Sequence, residues 1–178
     1  MTVIAIAGRH GTGKSTSAKI VAENLGLEYY STGILFRQLA KEHKMSLEQF
    51  SRHAEGHPEI DRRLDDAVVA RAQQGDVVVE GQLVGFLLRN IPGCIKVLLT
   101  APDEVRLRRM CERDAEHREK KVQETLARER SEQERFLNFY SYNLRDPGIQ
   151  LEVYDFIINT TNLNAERVAA IITCAVRT

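Results

Sequence analysis

The chain alternates short, continuous apolar runs with longer stretches in which apolar residues return every three or four positions. The apolar runs predict five strands, at residues 3–7, 27–30, 77–79, 95–99 and 156–158. The periodic stretches predict helices at residues 15–25, 32–43, 58–75 and 165–176, with further helices opening at Ser46 and Pro102. Continuous apolar strands separated by helices are typical of a parallel sheet covered on both faces. The pattern therefore predicts a three-layer α/β fold around a five-stranded parallel sheet.

The region from residue 31 to residue 75 carries helical patterns and no strand pattern. Ser46 and Gln49 have the spacing of a capping box, and Gly75 is a typical helix-ending glycine. We interpret this region as a helical insertion at the carboxyl edge of the sheet. A charged helical pattern follows over residues 105–144, with a break expected near residues 115–118. The length of 178 residues predicts a single domain over residues 1–178.

Composition narrows the class of protein. The 25 basic residues balance the 25 acidic residues, which excludes a generally basic nucleic-acid-binding protein. Eighteen of the basic residues are arginine, whose planar guanidinium binds phosphate through two hydrogen bonds. A compositional bias of the source organism explains that count equally well.

The sequence also predicts a location for the protein. Its three cysteines show no C-x-x-C spacing, which is typical of a reducing compartment. The apolar start at residues 3–7 has no basic segment before it and is too short for a signal sequence. The longest apolar run, residues 168–176, is well below the length of a membrane span. We therefore expect a cytoplasmic protein with no membrane partner.

A glycine-rich motif follows the first predicted strand and opens the first helix. Residues 8–15 read G-R-H-G-T-G-K-S and fit G-x-x-x-x-G-K-[ST]. In such a loop, backbone N–H groups and the helix N-terminus hold a polyphosphate, the lysine reaches its outer phosphates and the serine hydroxyl ligates Mg²⁺. The motif predicts binding of ATP and Mg²⁺ by Gly8, Arg9, His10, Gly11, Thr12, Gly13, Lys14, Ser15 and Thr16. The alternative is a strand-to-helix turn that binds nothing, and the lack of an N-K-x-D element argues against a GTPase switch.

Two further strand ends supply candidate site residues. Residues 31–37 directly follow the second strand, and Arg37 is placed to clamp an acceptor phosphate because ligands of open α/β sheets bind beyond the carboxyl ends of strands. Glu80 ends the third strand beside the glycine-rich loop, where a carboxylate commonly orients Mg²⁺ through water. The alternatives are an exposed helical arginine and a residue that caps the next helix.

An arginine-rich segment covers residues 104–135, which contain eight arginines. Arg106, Arg109 and Arg113 share one helix face, at positions i, i+3 and i+7. Placed over the phosphates, such a row would neutralise charge on the transferred group and exclude water as a lid closes. The alternative is a solvated helix held by i,i+4 pairs such as Glu104 with Arg108.

Three of these segments together resemble the nucleoside monophosphate kinases, and in particular the short archaeal-type cytidylate kinases. They are the glycine-rich loop, the S-x-G-x-x-F-R stretch at residues 31–37 and the arginine-rich segment. The similarity extends over nearly the whole chain, through residues 47–51, 58–61, 64–65, 78–81, 128–135 and 154–160. The resemblance implies an adenylate-kinase-like P-loop NTPase fold, with a helical acceptor-binding insert at residues 31–75 and a short lid at about residues 113–128.

The resemblance also implies an activity and its residues. It implies transfer of the ATP γ-phosphoryl group to a nucleoside monophosphate, with CMP or dCMP as the expected acceptor. The protein is expected to be a monomer whose partners are small nucleotides. Lys14 and Arg128 would stabilise the transferred group. The acceptor would be held by Ser31, Gly33, Arg37, Asp61, Gly81, Gln82, Arg128, Glu132 and Arg135.

Two positions depart from the family pattern. Gln82 stands where the family usually has an arginine, and Ala67-Val68 stands where it usually has Arg-Gln. Glutamine forms hydrogen bonds but cannot neutralise a phosphate. Arg63 and Arg71 lie one helical turn either side of Ala67, and Arg71 is the predicted replacement in acceptor binding. These departures leave open a kinase for another nucleoside monophosphate or a small metabolite, or an ATP-binding assembly or regulatory factor with little turnover.

Overall fold

The computed structural model describes residues 1–113 and 118–176. Strands and helices alternate along these residues, with three consecutive helices between the second and third strands. In chain order the elements are β1 (Val3–Gly8), α1 (Lys14–Leu25), β2 (Glu28–Ser31), α2 (Thr32–Glu42), α3 (Leu47–Glu55), α4 (Pro58–Gln73), β3 (Val77–Gly81), α5 (Val84–Leu87), β4 (Cys94–Thr100), α6 (Asp103–Arg113), α7 (Arg118–Tyr140), α8 (Pro147–Val153), β5 (Phe156–Asn159) and α9 (Ala165–Val176).

The five strands form one parallel sheet in the order β2-β3-β1-β4-β5. β1 lies at the centre, with Val3 opposite Val77 of β3 on one side and opposite Cys94 of β4 on the other. Every residue of β1 is buried, which agrees with its continuous apolar sequence. The predicted five-stranded parallel sheet is confirmed.

Each face of the sheet has its own hydrophobic core, because successive side chains of a strand point to opposite faces. Ala5 and Ala7 of β1 pack with Val68 of α4 and with the aromatic rings of Tyr142 and Tyr154. Ile4 and Ile6, on the other face, pack with residues of α1 and α9 that include Val21 and Ile172. Two helical layers therefore enclose the sheet, and the three-layer fold is confirmed.

The helices between β2 and β3 enclose a third, smaller core. Phe36 of α2 and Phe50 of α3 lie with ring centroids 4.9 Å apart and pack against Leu64 of α4. Ser46 and Gln49 form the predicted capping box at the start of α3, each side chain bonded to the backbone N–H of the other. These three helices thus pack on one another beside the carboxyl end of the sheet.

The structure also contains two helices that the sequence pattern did not predict. α5 has four residues, too few to show a helical period. α8 begins with Asp146, whose side chain accepts hydrogen bonds from the backbone N–H groups of Gly148 and Ile149, followed by Pro147 in the first turn. Asp followed by Pro is an ordinary start signal for a helix that we overlooked.

Two expectations fall partly on residues outside those that the structure describes. The described residues leave out most of the predicted break near residues 115–118 and the first part of the predicted lid. They also leave out the side chain of Arg113. Within the described residues, no helix is long and apolar enough to cross a membrane.

Candidate active site

The glycine-rich motif forms a loop between β1 and α1. Gly11 and Gly13 have φ angles of +78° and +88°, in the left-handed region that favours glycine. Gly13 caps α1 without a side-chain hydrogen bond, so no side chain of the cap occupies the first N–H groups of the helix. A helix N-terminus with unoccupied N–H groups attracts anions. The loop therefore has the backbone geometry of a phosphate-binding loop, and we use that name below.

A cleft of about 480 Å³ opens beside the phosphate loop. Its walls come from the loop, the first turn and a half of α2, the middle of α4, the end of β3, and α7. The predicted site residues on these walls are His10, Gly11, Gly13, Lys14, Ser15, Thr16, Gly33, Arg37, Asp61, Glu80, Gly81, Gln82, Arg128, Glu132 and Arg135. Elements that are far apart in the chain thus converge on one cleft.

Lys14 lies at the base of this cleft and is almost fully buried. Its Nζ lies 3.5 Å from the carbonyl oxygen of Arg9. Burial lowers the pKa of Lys14, while the charges of Glu80, Glu132 and Glu129 oppose that shift. An anion bound in the cleft would stabilise the protonated lysine further, which suits a group that neutralises phosphate charge.

Glu80 lines the same cleft and has one carboxylate oxygen with no hydrogen-bond partner among the described residues. Its Oε1 accepts hydrogen bonds from Ser31 Oγ at 2.5 Å and from Tyr29 Oη at 3.2 Å. Its Oε2 is buried, and none of the described residues donates a hydrogen bond to it. Carboxylate and hydroxyl oxygens are the ligands that Mg²⁺ prefers, and Ser15 lines the cleft with Glu80. These two residues fit the predicted magnesium site.

Three arginines of α2 and α7 line the cleft, and they differ in burial and in the partners of their donors. Arg37 is exposed on α2 and has no hydrogen bond or ion pair to another described residue. Arg128 Nη2 donates to Glu132 Oε1 at 3.4 Å, and its buried Nε has no partner among the described residues. Arg135 is buried, with its Nε 2.9 Å from Asp61 Oδ2 and its Nη1 2.8 Å from Ser131 Oγ. Arg37 and Arg128 thus retain free donors for an anionic ligand.

Glu132 joins the phosphate loop to the end of β3. Its Oε2 lies 3.0 Å from His10 Nε2 and also accepts a hydrogen bond from Gln82 Nε2. Burial raises the pKa of the Glu132 carboxyl, but His10, Arg128 and Arg135 outweigh burial and lower it to about 2. Gln82 therefore contacts a carboxylate that is ionised over the whole physiological range.

Arg106 and Arg109 of α6 bind other protein groups and do not line the cleft. Arg106 is fully buried and donates to Asp103, to Glu129 and to the carbonyl oxygen of His10. Arg109 donates to the carbonyl oxygen of Thr160 at 2.5 Å and to its Oγ1 at 3.0 Å. Protein groups therefore occupy these donors, and the role of Arg106 and Arg109 at the transferred group stays a prediction.

Five other predicted site residues do not line this cleft: Arg71, Arg9, Ser31, Gly8 and Thr12. Arg71 binds the carbonyl oxygen of Gly75 and Glu28, away from the cleft, so it does not replace the missing family arginine. Arg9 directs its side chain to Asp103 and Glu129.

Ser31 is buried and bonds to Glu80, so it positions that carboxylate and does not line the cleft. Gly8 and Thr12 also lie outside the cleft, and Thr12 Oγ1 donates to the carbonyl oxygen of Arg9.

Several residues of the site were missed by the sequence analysis. Asp65 lines the cleft beside Asp61, accepts a hydrogen bond from Tyr140 Oη, and has a pKa that burial raises to about 6. A second, shallower cavity of about 560 Å³ lies on the other side of the phosphate loop, between Arg109 and residues 160–165. The sequence signal for this cavity is the polar run Asn159-Thr160-Thr161-Asn162, which follows the last apolar run.

Comparison with solved structures defines the class of the fold. Over 99% of this chain, the fold resembles a shikimate kinase from Acinetobacter baumannii (TM-score 0.61, 20% identity, 93% of that chain) and a gluconokinase from Sinorhizobium meliloti (TM-score 0.63, 16% identity, 91% of that chain). Together with the phosphate loop, these similarities identify a P-loop kinase fold.

Sequence comparison identifies the family. A model of the cytidylate kinase-like family matches residues 3–162. The chain is 40% identical to the cytidylate kinase of Pyrococcus horikoshii, with 98% of this chain and 88% of that protein covered. It is 42% identical to the cytidylate kinase of Archaeoglobus fulgidus, with 97% and 93% covered. The chain belongs to the cytidylate kinase-like family and is a nucleoside monophosphate kinase, as the resemblance implied.

Proposed function

We propose that this protein transfers the γ-phosphoryl group of ATP to CMP or dCMP, in the presence of Mg²⁺. The observation that carries the proposal is that one cleft is lined both by Lys14 with the phosphate loop and by Arg37 and Arg128, which retain free donors. Two sets of phosphate-binding groups on different elements of one cleft suit two phosphorylated substrates. The relatives that are named cytidylate kinases support CMP as the acceptor.

The donor nucleotide would occupy the phosphate loop and the cavity beside it. The backbone N–H groups of the loop and the first turn of α1 would hold the β- and γ-phosphates. The second cavity, between Arg109 and residues 160–165, adjoins the loop through Gly11, Thr12 and Gly13 and provides space for the base and ribose. The Arg109 hydrogen bonds to Thr160 would hold that wall in place.

The residues present suit a phosphoryl transfer that depends on positioning and charge. Lys14 would neutralise charge on the transferred group, and Arg128 would do so from the opposite wall. Ser15 and the free Oε2 of Glu80 would hold Mg²⁺, Glu80 through water. When bound, the ion would neutralise negative charge on the phosphate groups.

The acceptor would lie between α2, α4 and α7. Arg37 of α2 and Arg135 of α7 both line the cleft, and we infer that Arg37 binds the acceptor phosphate with Arg135 close to it. Arg135 also forms an ion pair with Asp61, and this pair keeps the Arg135 guanidinium oriented. Gln82 and Asp65 line the same region and supply neutral and acidic hydrogen-bonding groups for the base.

An acceptor panel tests the proposal. Purified protein is incubated with ATP, Mg²⁺ and one of CMP, dCMP, UMP, AMP, GMP or dTMP, and the initial rate of ADP formation is compared with that of a reaction without acceptor. We expect strong stimulation by CMP and dCMP alone. Stimulation by a different nucleotide would mean that Gln82 and Ala67 have changed the pocket's specificity. The absence of any stimulation would refute nucleotide phosphorylation.

A further inference from the structure

A closed ring of four alternating charges joins the phosphate loop to α6 and α7. Arg9 lies 2.5 Å from Asp103 and 2.7 Å from Glu129, measured between guanidinium nitrogen and carboxylate oxygen. Arg106 lies 2.8 Å from the same oxygen of Asp103 and 2.7 Å from Glu129. Each carboxylate therefore lies between two guanidinium groups. We call Arg9, Asp103, Arg106 and Glu129 the ion-pair ring.

Two members of the ring, Arg106 and Glu129, are buried. Arg106 is fully buried and the Glu129 side chain is 6% exposed, while Asp103 reaches solvent. Burial raises the pKa of Glu129, but Arg106 and Arg9 reverse the shift and hold that pKa below its ordinary value. Buried ion pairs contribute little stability compared with apolar side chains of the same size, so stability alone does not account for this ring.

Two members of the ring bind the backbone of His10, one at its N–H group and one at its carbonyl oxygen. The backbone N–H of His10 donates to Glu129 Oε1 at 3.1 Å, and its carbonyl oxygen accepts from Arg106 Nη1. The next residue, Gly11, packs so closely that a Cβ there would lie 2.6 Å from the carbonyl oxygen of Arg106. The segment of the phosphate loop that precedes Lys14 is thus fixed against α6 and α7.

Glu129 also belongs to the helix that carries the acceptor residues. It directly follows Arg128 and lies one helical turn from Glu132, both of which line the cleft. We propose that Glu129 is a positioning residue for phosphoryl transfer: by binding the His10 N–H and both ring arginines, it fixes the phosphate loop relative to the acceptor side of α7. The acceptor half of this inference rests on the proposed function, whereas the loop half does not.

The substitution Glu129→Gln tests this role. It preserves the size of the side chain and an oxygen for the His10 N–H, but it removes the charge that lies between Arg9 and Arg106. Because bonds to charged groups are the strong ones, we expect about a tenfold or greater loss in affinity for a non-hydrolysable ATP analogue. We also expect kcat to fall at least tenfold, while the KM for the acceptor stays within about twofold.

Arg108→Gln is the matched control. Arg108 lies on α6, its side chain is 62% exposed, and its ion pair with Glu112 is a long one of 3.9 Å. This variant removes one charge from α6, the helix that carries Arg106, without touching the ring, so analogue binding and kcat should match the wild type. Arg9→Gln, which removes a ring member near the surface, should act in the same direction as Glu129→Gln and serves if the latter does not fold.

Two outcomes would overturn the inference. One is analogue affinity and kcat within twofold of the wild type in Glu129→Gln. The other is a lower melting temperature in Glu129→Gln, with affinity and kcat unchanged at temperatures where the variant is still folded. That result would make the ring purely structural. If the wild type binds the analogue but phosphorylates no nucleotide, the proposed function fails, and the binding comparison alone decides the role of Glu129 in the loop.

Discussion

Glu80→Gln tests the assignment of Glu80 to the metal with little disturbance of the fold. In the wild type, Oε1 of Glu80 accepts hydrogen bonds from Ser31 and Tyr29, and Oε2 is buried with no donor among the described residues. A glutamine with its oxygen in the Oε1 position keeps both bonds and places its NH₂ group where Oε2 was. A donor would then face the site of the cation, so the variant should fold well and handle Mg²⁺ poorly.

The size of the effect follows from that geometry. Loss of a residue that orients a metal through an outer-shell contact typically costs about 10- to 100-fold in metal affinity or activity. At about 1.4 kcal/mol per tenfold, this corresponds to about 1.4–2.8 kcal/mol. We expect the free energy of unfolding to change by less than about 1 kcal/mol, because both hydrogen bonds to Oε1 are retained and no charge is added.

The assay is the initial rate of ADP formation with CMP over a titration of Mg²⁺ at fixed ATP, together with thermal unfolding. Glu28→Gln is the control, since Glu28 lies at the opposite end of β2, is 59% exposed and pairs with Arg71. Glu80→Gln should raise the half-saturating Mg²⁺ concentration and lower kcat, each at least tenfold, while Glu28→Gln leaves both unchanged. Wild-type values in a folded Glu80→Gln protein would refute the metal role of Glu80.

Three further predictions concern side chains of α2 and α4. Arg37→Ala should raise the KM for the acceptor about tenfold or more, without changing the melting temperature or the KM for ATP, because Arg37 has no partner among the described residues. Arg71 lies outside the cleft, so Arg71→Ala should leave the KM for the acceptor unchanged. A rise in that KM would show that Arg71 contributes to acceptor binding. Asp65→Asn should stabilise the protein at pH 7. Folding raises the pKa of the Asp65 carboxyl from 3.8 to about 6, so its contribution to stability is fully present only below the unfolded pKa and is lost as the pH rises through 6. Asparagine stays neutral and avoids that loss. The gain should reach at most about 3 kcal/mol and disappear toward pH 4, so equal unfolding curves at pH 7 would contradict it.

The fold could be predicted because its signals are local. Continuous β-branched runs, capping residues and the glycine-rich motif identify the elements and the phosphate loop without knowledge of distant contacts. The position of Glu80 followed from the same reasoning, since it ends a strand that lies beside β1. Parallel strands place their carboxyl ends at one edge of the sheet, so residues at strand ends converge on the site.

The partners of helical side chains could not be predicted in the same way. Helical periodicity correctly placed Arg106 and Arg109 on one face of α6, but it does not give what that face packs against. Arg71 shows a second limit, because it lies ten residues after Asp61, which is about 15 Å along α4 and beyond the reach of the cleft. Glu129 looked like one more acid of a solvated helix, and only its contact with the His10 N–H distinguishes it.

The central claim is that this cleft transfers phosphate from ATP to CMP, and label transfer measures it most directly. ATP labelled in its γ-phosphate is incubated with CMP, Mg²⁺ and either the wild type or Lys14→Ala, and the products are separated. We predict that the wild type moves the label into CDP and that Lys14→Ala, although folded, does so at least tenfold more slowly. Label that stays in ATP or appears only as free phosphate, or a loss of less than tenfold in Lys14→Ala, would contradict the mechanism.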